Sequence, residues 1–440
     1  MKYVTITLIL LAQQATAQQP WTLRQCMHYA VEHNHDVRQS ALQLDNYKAA
    51  KTAAVGSFLP SAAASIGAQY NFGRAIDPET NGYTDVSTFN NGYQAAASLP
   101  VFDGFNSLHA LRAAKASELM GRASLRQQQD RTALAVLQAF ANVAYYDGAI
   151  AMAEERLQET MLLLRQTRLL EEVGRKSAAD VAQVEAQQAE ADYELTCQQN
   201  LHASALLELK MTMAFPMSDS LHITGQMLEP WSDALSTTAC SSSDISTGGH
   251  TELLVARYQA EASKHAWHQT RSEWFPSISL SAGINTTYYK TLNVDATQSF
   301  RQQFKNNLGE YVGATLSIPL FSRLRTVTSV RRAKNNYRMA CEAYEQKHLE
   351  LEKLSREAWQ DWQGYIKQTM QMEKKVEADS LAYQLTRRQF EEGLSTAIDL
   401  HTTSAELLKS KATLLQCRLM TMVKEQLVKY YRGETIWTEQ

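Results

Sequence analysis

The hydrophobic residues recur along the chain with two different periods. In each half of the chain, a stretch with one period is followed by a stretch with the other. Apolar residues occupy every second position in the stretches that follow Pro60 and Pro276, and again in those that precede Pro100 and Pro319. Most residues between them are small or polar. A period of two is typical of β-strands, and each stretch is about long enough to cross a membrane at a tilt. The pattern predicts four strands, with the four prolines at junctions between strands and helices.

Two long stretches have the period of an α-helix instead. Residues 107 to about 172 and 323 to about 392 contain no proline, and their apolar residues recur three or four positions apart. A helix of this length extends for about 100 Å, since each residue adds about 1.5 Å. Such a helix cannot bury itself in one globule, so we expect long antiparallel helical hairpins in a coiled-coil array.

The two halves of the chain share one plan. Pro100 and Pro319 are 219 positions apart, and the same offset relates Gly174 to Gly393. A fixed offset between distant positions indicates an internal duplication. Each copy is expected to hold an opening helix, a strand pair and a long helical hairpin. The expected divisions are a first repeat over 18–214, a linker over 215–249, a second repeat over 250–432 and a tail over 433–440, with opening helices over about 21–56 and 251–273.

Each predicted hairpin turns at a short motif of helix-capping residues, EEVGRKSAADV in the first repeat and EEGLSTAIDL in the second. In both, a glycine follows the first helix, a hydroxyl residue caps the next helix, and an aspartate three residues later completes a capping box. These residues are Gly174, Ser177 and Asp180 in the first tip and Gly393, Thr396 and Asp399 in the second. Return helices are expected over about 178–214 and 397–431.

The N-terminus has the features of an export signal. Residues 1–17 combine the positive Lys2, a short apolar stretch and a small-x-small cleavage site. The apolar stretch is far shorter than a membrane span, which makes an N-terminal anchor the weaker interpretation. After cleavage the chain would begin at Gln18. Because this residue is not a cysteine, the sequence does not support a lipoprotein anchor. No later run of about 18 apolar residues occurs, so a helical membrane protein is excluded.

Four strands are too few to close a membrane barrel, which needs at least about eight. An open strand edge would leave backbone groups unpaired in lipid, so the barrel must be shared between subunits. Side chains fill a barrel of about eight strands, and a water-filled channel therefore favours three or more subunits over two. The segments 77–92 and 289–307, which join the paired strands, are expected to be extracellular loops.

The order of these elements resembles the TolC-type outer-membrane efflux protein family. The resemblance is carried by WTLRQCMHYAVEHNHDV at 21–37, FLP and WFP before the first strands, LPVFDG and IPLF before the long helices, and the two tips. It covers nearly the whole chain after the signal. The resemblance implies a mixed α and β fold in a homotrimer. Three chains would share a twelve-stranded outer-membrane barrel, above a coiled-coil tunnel of twelve helices with an equatorial collar in the periplasm.

The same resemblance implies a function. The trimer would be the outer-membrane exit duct of a tripartite efflux or type I secretion system. It would conduct substrates passively to the exterior, with its tips closing the tunnel and docking onto a periplasmic adaptor protein and an inner-membrane transporter. A periplasmic coiled-coil adaptor without a pore is the alternative interpretation.

Asp399 and Asp180 are the candidate gate residues at the periplasmic entrance. Both can act simply as helix caps, but threefold symmetry would also repeat each carboxylate around one axis, where acids favour cation entry. Similar proteins often carry a second acid one turn after the position of Asp399, where this chain has Thr402. Arg175 and Lys176 could pair with acids of the neighbouring hairpin or stay solvated.

Other kinds of chemistry find little support in the sequence. His265 and His268 have the helical spacing of a metal pair, but that turn offers no carboxylate or cysteine as a third ligand, so no metal site is expected. No nucleophile motif or phosphate-binding loop is present, and neither an enzyme nor a cofactor is expected. The 43 basic and 46 acidic residues give a net charge of −3, which provides no reason to expect nucleic acid as a partner.

Overall fold

The computed structural model describes residues 20–76, 81–85, 87–224, 249–292 and 298–437. The predicted signal at 1–17 and most of the predicted linker at 215–249 lie outside these residues. The chain divides into two compact units. The described residues within 1–42, 122–254 and 346–440 form the helical unit, and those within 43–121 and 255–345 form the sheet unit.

The first repeat contains α1 (Leu23–His33), α2 (His35–Gly56), β1 (Ser61–Asn71), β2 (Arg74–Ile76), β3 (Tyr83–Asp85), β4 (Thr88–Phe102), α3 (Asn106–Glu172) and α4 (Ala178–Met213). The second contains α5 (Thr251–Arg271), β5 (Ser277–Thr291), α6 (Phe300–Asn306), β6 (Gly309–Ser317), α7 (Arg325–Glu391) and α8 (Ala397–Tyr431). The predicted fold class, long helical hairpins with four main strands and an internal duplication, is confirmed. Within the described residues, no helix combines the length and apolar character of a membrane span.

The opening helix of the first repeat is two helices, where the sequence predicted one. Asn34 separates them in an extended conformation (φ −61°, ψ 136°). Its side-chain oxygen accepts a hydrogen bond from the backbone N–H of Asp36 at 2.8 Å, and its amide donates to the carbonyl of Thr212 at 2.9 Å. Asparagine side chains compete with the helix for backbone groups in this way, which explains the break.

The four main strands form one antiparallel sheet in the order β1-β4-β5-β6. Ala64 pairs with Ala95 and Ala95 with Ile284, so the apolar positions of adjacent strands share one face. Small and polar residues occupy the other face, where Gly67 pairs with Gly92. The apolar face is exposed, with Val312 87% accessible. It is a surface suited to an apolar environment rather than water.

Two details of the strands correct the sequence-based expectations. Pro100 does not mark the end of its strand, because β4 continues to Phe102 through an irregularity in register. A proline lacks the backbone donor of a regular ladder, and such irregularities accommodate it. The expected loops were also too long: β3 and the start of β4 lie within 77–92, and the end of β5 and all of α6 lie within 289–307. Asp77 and its three successors are outside the described residues.

The other three prolines lie next to strands as predicted. Pro60 and Pro276 directly precede β1 and β5, and Pro319 lies between β6 and α7. Past the end of β4 and again past β6, two consecutive residues adopt left-handed conformations before the long helix begins. They are Gly104 and Phe105 in the first repeat (φ 67° for both) and Arg323 and Leu324 in the second (φ 51° and 64°). The duplication therefore extends to the backbone of these turns.

Aromatic packing secures the N-terminal segment in the helical unit. The Trp21 ring meets Tyr29 and Phe215 edge-on, at centroid distances of 5.5 and 5.7 Å. The Trp21 backbone also bonds to residues that follow Phe215 in the chain. Its N–H donates to the carbonyl of His222 at 2.7 Å, and its carbonyl accepts from the N–H of Thr224 at 3.0 Å. The described start of the predicted linker is thus held against the first repeat.

The described part of the C-terminal tail packs against α3. The indole N–H of Trp437 donates to the Asp130 carboxylate at 3.0 Å, and the Arg126 guanidinium lies 5.1 Å from the Trp437 ring. Asp130 is 5% exposed. Burial raises the pKa of this carboxyl, while the bonds from Trp437 and Arg126 act in the opposite direction. The tail thus stabilises a buried charge that would otherwise be costly.

Candidate gate at the helical tips

Both hairpins turn through the same backbone motif. Gly174 and Gly393 follow the long helices with φ of 75° and 81°, in the left-handed region that favours glycine. In the first tip, the N–H of Gly174 donates to Glu171 and that of Arg175 to Leu170, each at 2.8 Å. The second tip repeats this pair of bonds, and together they satisfy the last carbonyls of the helix.

The return helices begin with complete capping boxes. The backbone N–H of Asp180 donates to the Ser177 hydroxyl at 3.2 Å, while the Asp180 carboxylate accepts from the Ser177 N–H at 3.0 Å. Thr396 and Asp399 form the same reciprocal pair at 3.2 and 3.1 Å. These bonds satisfy donors that a helix N-terminus otherwise leaves free.

The capping bonds also set the charge state of the two aspartates. The backbone N–H and hydroxyl of Ser177 hold the pKa of Asp180 below its usual range. The hydroxyl and backbone N–H of Thr396 do the same for the pKa of Asp399, with the Ser395 hydroxyl contributing. Asp399 is exposed, so a full negative charge faces solvent at the second tip throughout the neutral range.

The other sequence-predicted tip residues have different environments. The Lys176 ammonium lies 3.7 Å from the centroid of the Phe390 ring, so it makes a cation–π contact rather than either of the expected arrangements. Arg175 is exposed. Thr402 is also exposed, and its hydroxyl donates to the carbonyl of Ile398 at 2.9 Å. It therefore supplies no charge one turn after Asp399.

A small apolar cluster joins the two hairpins behind the tips. Phe390, from the end of α7, is 1% exposed and packs with residues from all four tip helices. The buried members are Leu164, Val181, Val184, Phe390, Ala397 and Leu400. Next to it, the buried Gln187 amide donates to the carbonyl of Ala397 at 3.3 Å, which ties α4 to the start of α8. The tips of one chain are therefore one packed structure rather than two separate turns.

Polar contacts continue the connection further along the hairpins. The Tyr383 hydroxyl donates to the Glu159 carboxylate at 3.2 Å, and the Arg387 guanidinium lies 3.8 Å from the same carboxylate. We call these three residues the interhairpin latch. Burial, followed by the nearby charge of Glu159, raises the pKa of Tyr383 to about 12. The tyrosine thus remains a hydrogen-bond donor at any physiological pH.

The interhairpin latch was missed by the sequence analysis. Glu159 and Tyr383 are 224 positions apart, and nothing local to either residue indicates the contact. One signal was available, because Arg387 follows Arg168 by the offset of 219 that relates the two tips. Arg168, however, pairs with Glu185 of its own hairpin at 2.6 Å. The offset could have located the arginine but not its partner.

His265 and His268, for which no metal was expected, both stack with His109 in the sheet unit. The His109 ring lies 6.2 Å from His265 and 5.2 Å from His268. Burial is the largest cause that lowers the pKa of all three, and neighbouring Arg112 lowers it further. Among the described residues, no group of three or more histidine, cysteine, aspartate or glutamate side chains could hold a metal ion.

Comparisons with known proteins agree on one family and one fold. A sequence model of the outer membrane efflux protein family matches residues 27–213 and 247–426. No curated protein sequence matches the chain. Two solved structures, of CusC and of VceC from Vibrio cholerae, are each 16% identical with a TM-score of 0.79. They cover 94% of this chain and 92% and 97% of their own.

A third similar structure is the open state of the MtrE outer membrane channel of Neisseria gonorrhoeae. It is 17% identical with a TM-score of 0.74, and the match covers 94% of this chain and 89% of that one. These likenesses establish the fold, while the family match extends over both repeats. The chain therefore belongs to the outer membrane efflux protein family, as an outer-membrane protein rather than an enzyme.

Proposed function

We propose that three copies of this chain form the exit duct of a tripartite efflux or type I secretion system, conducting substrates passively across the outer membrane. The observation that carries the proposal is the sheet. It has one exposed apolar face, and in the described chain its edge strands β1 and β6 each pair on one side only. A sheet of this kind in lipid requires closure, because open edges would leave backbone groups without partners.

The strand order makes closure between copies simple. The strands β1, β4, β5 and β6 alternate in direction along the sheet. The last strand, β6, of one copy would therefore run antiparallel to the first strand, β1, of the next copy. Three copies would give twelve strands in one uninterrupted antiparallel barrel. The small and polar face would line the channel, and the apolar face would contact lipid.

The helical tips would form the periplasmic entrance. Asp399 carries an exposed, ionised carboxylate, and threefold symmetry would bring three of them around one axis. Such a ring attracts cations and repels itself, which makes it suitable for selectivity and gating. Asp180, Arg175, Lys176 and Thr402 would surround this ring on the same tips. The interhairpin latch would oppose separation of the two hairpins as the entrance opens.

Exposed apolar residues support docking of a partner at the tips. Val173, Leu394 and Ile398 are 69%, 76% and 63% exposed, although they lie beside a well-packed cluster. Exposed apolar groups at the end of a structure are typical of a protein contact. We infer that they meet a periplasmic adaptor protein, which would couple the duct to an inner-membrane transporter. Residues 1–17 would be the export signal removed beforehand.

The decisive experiment measures subunit number and conduction on the same purified sample. The mass of the detergent complex should correspond to three chains, and heating should dissociate it. The same trimers in a planar bilayer should produce discrete conductance steps. A water-soluble protein, or a detergent monomer without conductance, would refute the duct and favour the pore-free periplasmic adaptor.

A further inference from the structure

The short helix α6 lies against the apolar face of the sheet. Its Phe300 ring is 5.2 Å from Tyr288 and 6.1 Å from Tyr93, and its Phe304 ring is 5.3 Å from Tyr93. Both tyrosines occupy apolar-face positions in the strand alternation. The Thr286 hydroxyl donates to the carbonyl of Phe304 at 2.8 Å. The helix is therefore attached to the side of the sheet that faces lipid in the proposed barrel.

A side chain of α6 acts as a substitute for a neighbouring strand. The last residue of β5 to pair with β6 is Asn285. Beyond it, the amide of Gln303 donates to the carbonyl of Tyr289 and accepts from its N–H, both at 2.9 Å. Gln303 is 5% exposed, and Asn307 adds a bond to the carbonyl of Thr287 at 2.7 Å. These bonds fix α6 at the edge of β5.

Aromatic side chains extend from α6 across the apolar face. Tyr70 and Phe89 lie 4.7 Å apart, and Phe89 is 6.3 Å from Tyr288, which in turn contacts Phe300. Tyr70 is 58% and Phe300 46% exposed. We call this row, together with Tyr93 and Phe304, the aromatic belt. Such belts are typical of the level where a membrane meets water.

Basic side chains accompany the aromatic belt. Lys290 follows Tyr288 by two residues and so lies on the same face of β5. Arg301 and Lys305 are four residues apart on α6 and therefore lie on the same side of it. All three are exposed. Among the described strand residues of this face, Glu310 is the one acid, so positive charge dominates beside the belt.

We propose that Lys290, Arg301 and Lys305 bind the phosphate groups of an anionic lipid in the outer leaflet, whose acyl chains lie against the aromatic belt. The proposal rests on the proposed barrel, which places this end of the sheet at the outer membrane surface. Positive charge beside exposed aromatic rings fits an amphiphile with a phosphorylated headgroup better than a free anion. The apolar face continues from the belt toward the membrane interior, so one molecule could occupy both regions.

The test measures lipid binding to delipidated trimers by native mass spectrometry. The probes are a bisphosphorylated, multiply acylated glucosamine disaccharide, the same lipid without phosphates, and inorganic pyrophosphate. We expect the phosphorylated lipid to bind, up to one molecule per chain. The phosphate-free lipid should bind much more weakly, and pyrophosphate in excess should not displace the phosphorylated lipid.

The double variant Arg301→Gln/Lys305→Gln should bind the phosphorylated lipid about 30-fold more weakly, on the basis of about 1 kcal/mol for each basic residue at an anionic surface. Arg301→Lys should retain binding. The matched control Lys374→Gln/Lys409→Gln removes the same charge from exposed helical positions and should bind like wild type.

Three results would overturn the proposal: equal binding of the phosphate-free lipid, displacement by pyrophosphate, or unchanged affinity in the Arg301→Gln/Lys305→Gln variant. Conductance recorded on the same trimers separates this outcome from failure of the duct. Conducting trimers without phosphate-dependent lipid binding would refute the lipid site alone, whereas loss of trimers or conductance in wild type would refute the proposed function.

Discussion

The interhairpin latch offers the most direct test of how the proposed entrance would stay closed. Glu159→Gln keeps the shape of the side chain but removes the charge that attracts Arg387 and strengthens the hydrogen bond from Tyr383. Glu159 and Arg387 are 36% and 37% exposed, so their ion pair contributes no more than about 1 kcal/mol. The hydrogen bond from Tyr383 would also lose a charged acceptor for a neutral one, which costs about another 1 kcal/mol. The substitution should therefore weaken each latch by about 1–2 kcal/mol.

Symmetry multiplies this small change. If three latches release together, the lower figure gives about 3 kcal/mol for the trimer, which shifts the balance between closed and open entrances by about 100-fold. Single-channel recordings in planar bilayers measure that balance as the fraction of time spent open. We expect long openings in the Glu159→Gln trimer under conditions where the wild type is mostly closed.

Glu185→Gln is the matched control. It breaks the Arg168–Glu185 ion pair, which has the shorter distance of 2.6 Å but lies within one hairpin. Gating of this variant should resemble wild type. Arg387→Gln and the double variant with Glu159→Gln complete a cycle in which the two changes should not add, because they remove the same contact. Additive effects, or intact Glu159→Gln trimers that gate like wild type, would refute the latch.

Four further outcomes can be measured on the same protein. Asp399→Asn should leave the trimer stable but lower cation selectivity and block by multivalent cations; if Asp399 is only a cap, both will match wild type. Gly393→Ala places a side chain at φ 81° and should lower stability by about 1–2 kcal/mol in thermal unfolding, and a smaller loss would argue against the backbone reasoning. Trp437→Phe should destabilise more at neutral pH than near pH 4. Asp130 has a raised pKa in the folded state, so the penalty of the lost bond applies only while it is ionised, and a pH-independent loss would contradict this. An epitope inserted near Asn81, which itself has φ 55°, should be detectable on intact cells; detection only after permeabilisation would count against the proposed topology.

The parts of the fold that local chemistry determines were predictable from the sequence. The return helix α8 spans Ala397–Tyr431, as predicted, and its capping residues located its start. Thr396 and Asp399 are three positions apart and need only each other to form the cap, so the signal lies within four residues. The alternation of apolar residues likewise located the four main strands, because a period of two has one structural meaning over such a length.

Other features depend on contacts that no local pattern records. The break at Asn34 is fixed partly by the carbonyl of Thr212, which is 178 positions away. The strand β4 continues through Pro100 because β5 pairs with it on the far side of that residue. The side-chain amide of Gln303 holds α6 against Tyr289, but nothing in the sequence distinguishes Gln303 from an ordinary polar residue of a loop. In each case tertiary pairing overrides the local preference.

The duplication explains why the candidate gate was the hardest part to predict. Both tips keep the same glycine, hydroxyl and aspartate at the same offset, and their backbone hydrogen bonds match. The offset also relates Arg168 to Arg387. Arg168 pairs within its own hairpin, whereas Arg387 contacts both Glu391 of its own helix at 3.4 Å and Glu159 of the neighbouring hairpin at 3.8 Å. Phe390 supplies the aromatic ring for Lys176, while the corresponding residue of the first repeat is Glu171. The shared glycine, hydroxyl and aspartate residues therefore build two equivalent turns, while the contacts that connect the two hairpins differ between the repeats. Contacts within one hairpin hold only that hairpin together, so separation of the two hairpins would require release of the contacts between them, namely the interhairpin latch, the Lys176–Phe390 contact and the buried cluster behind the tips.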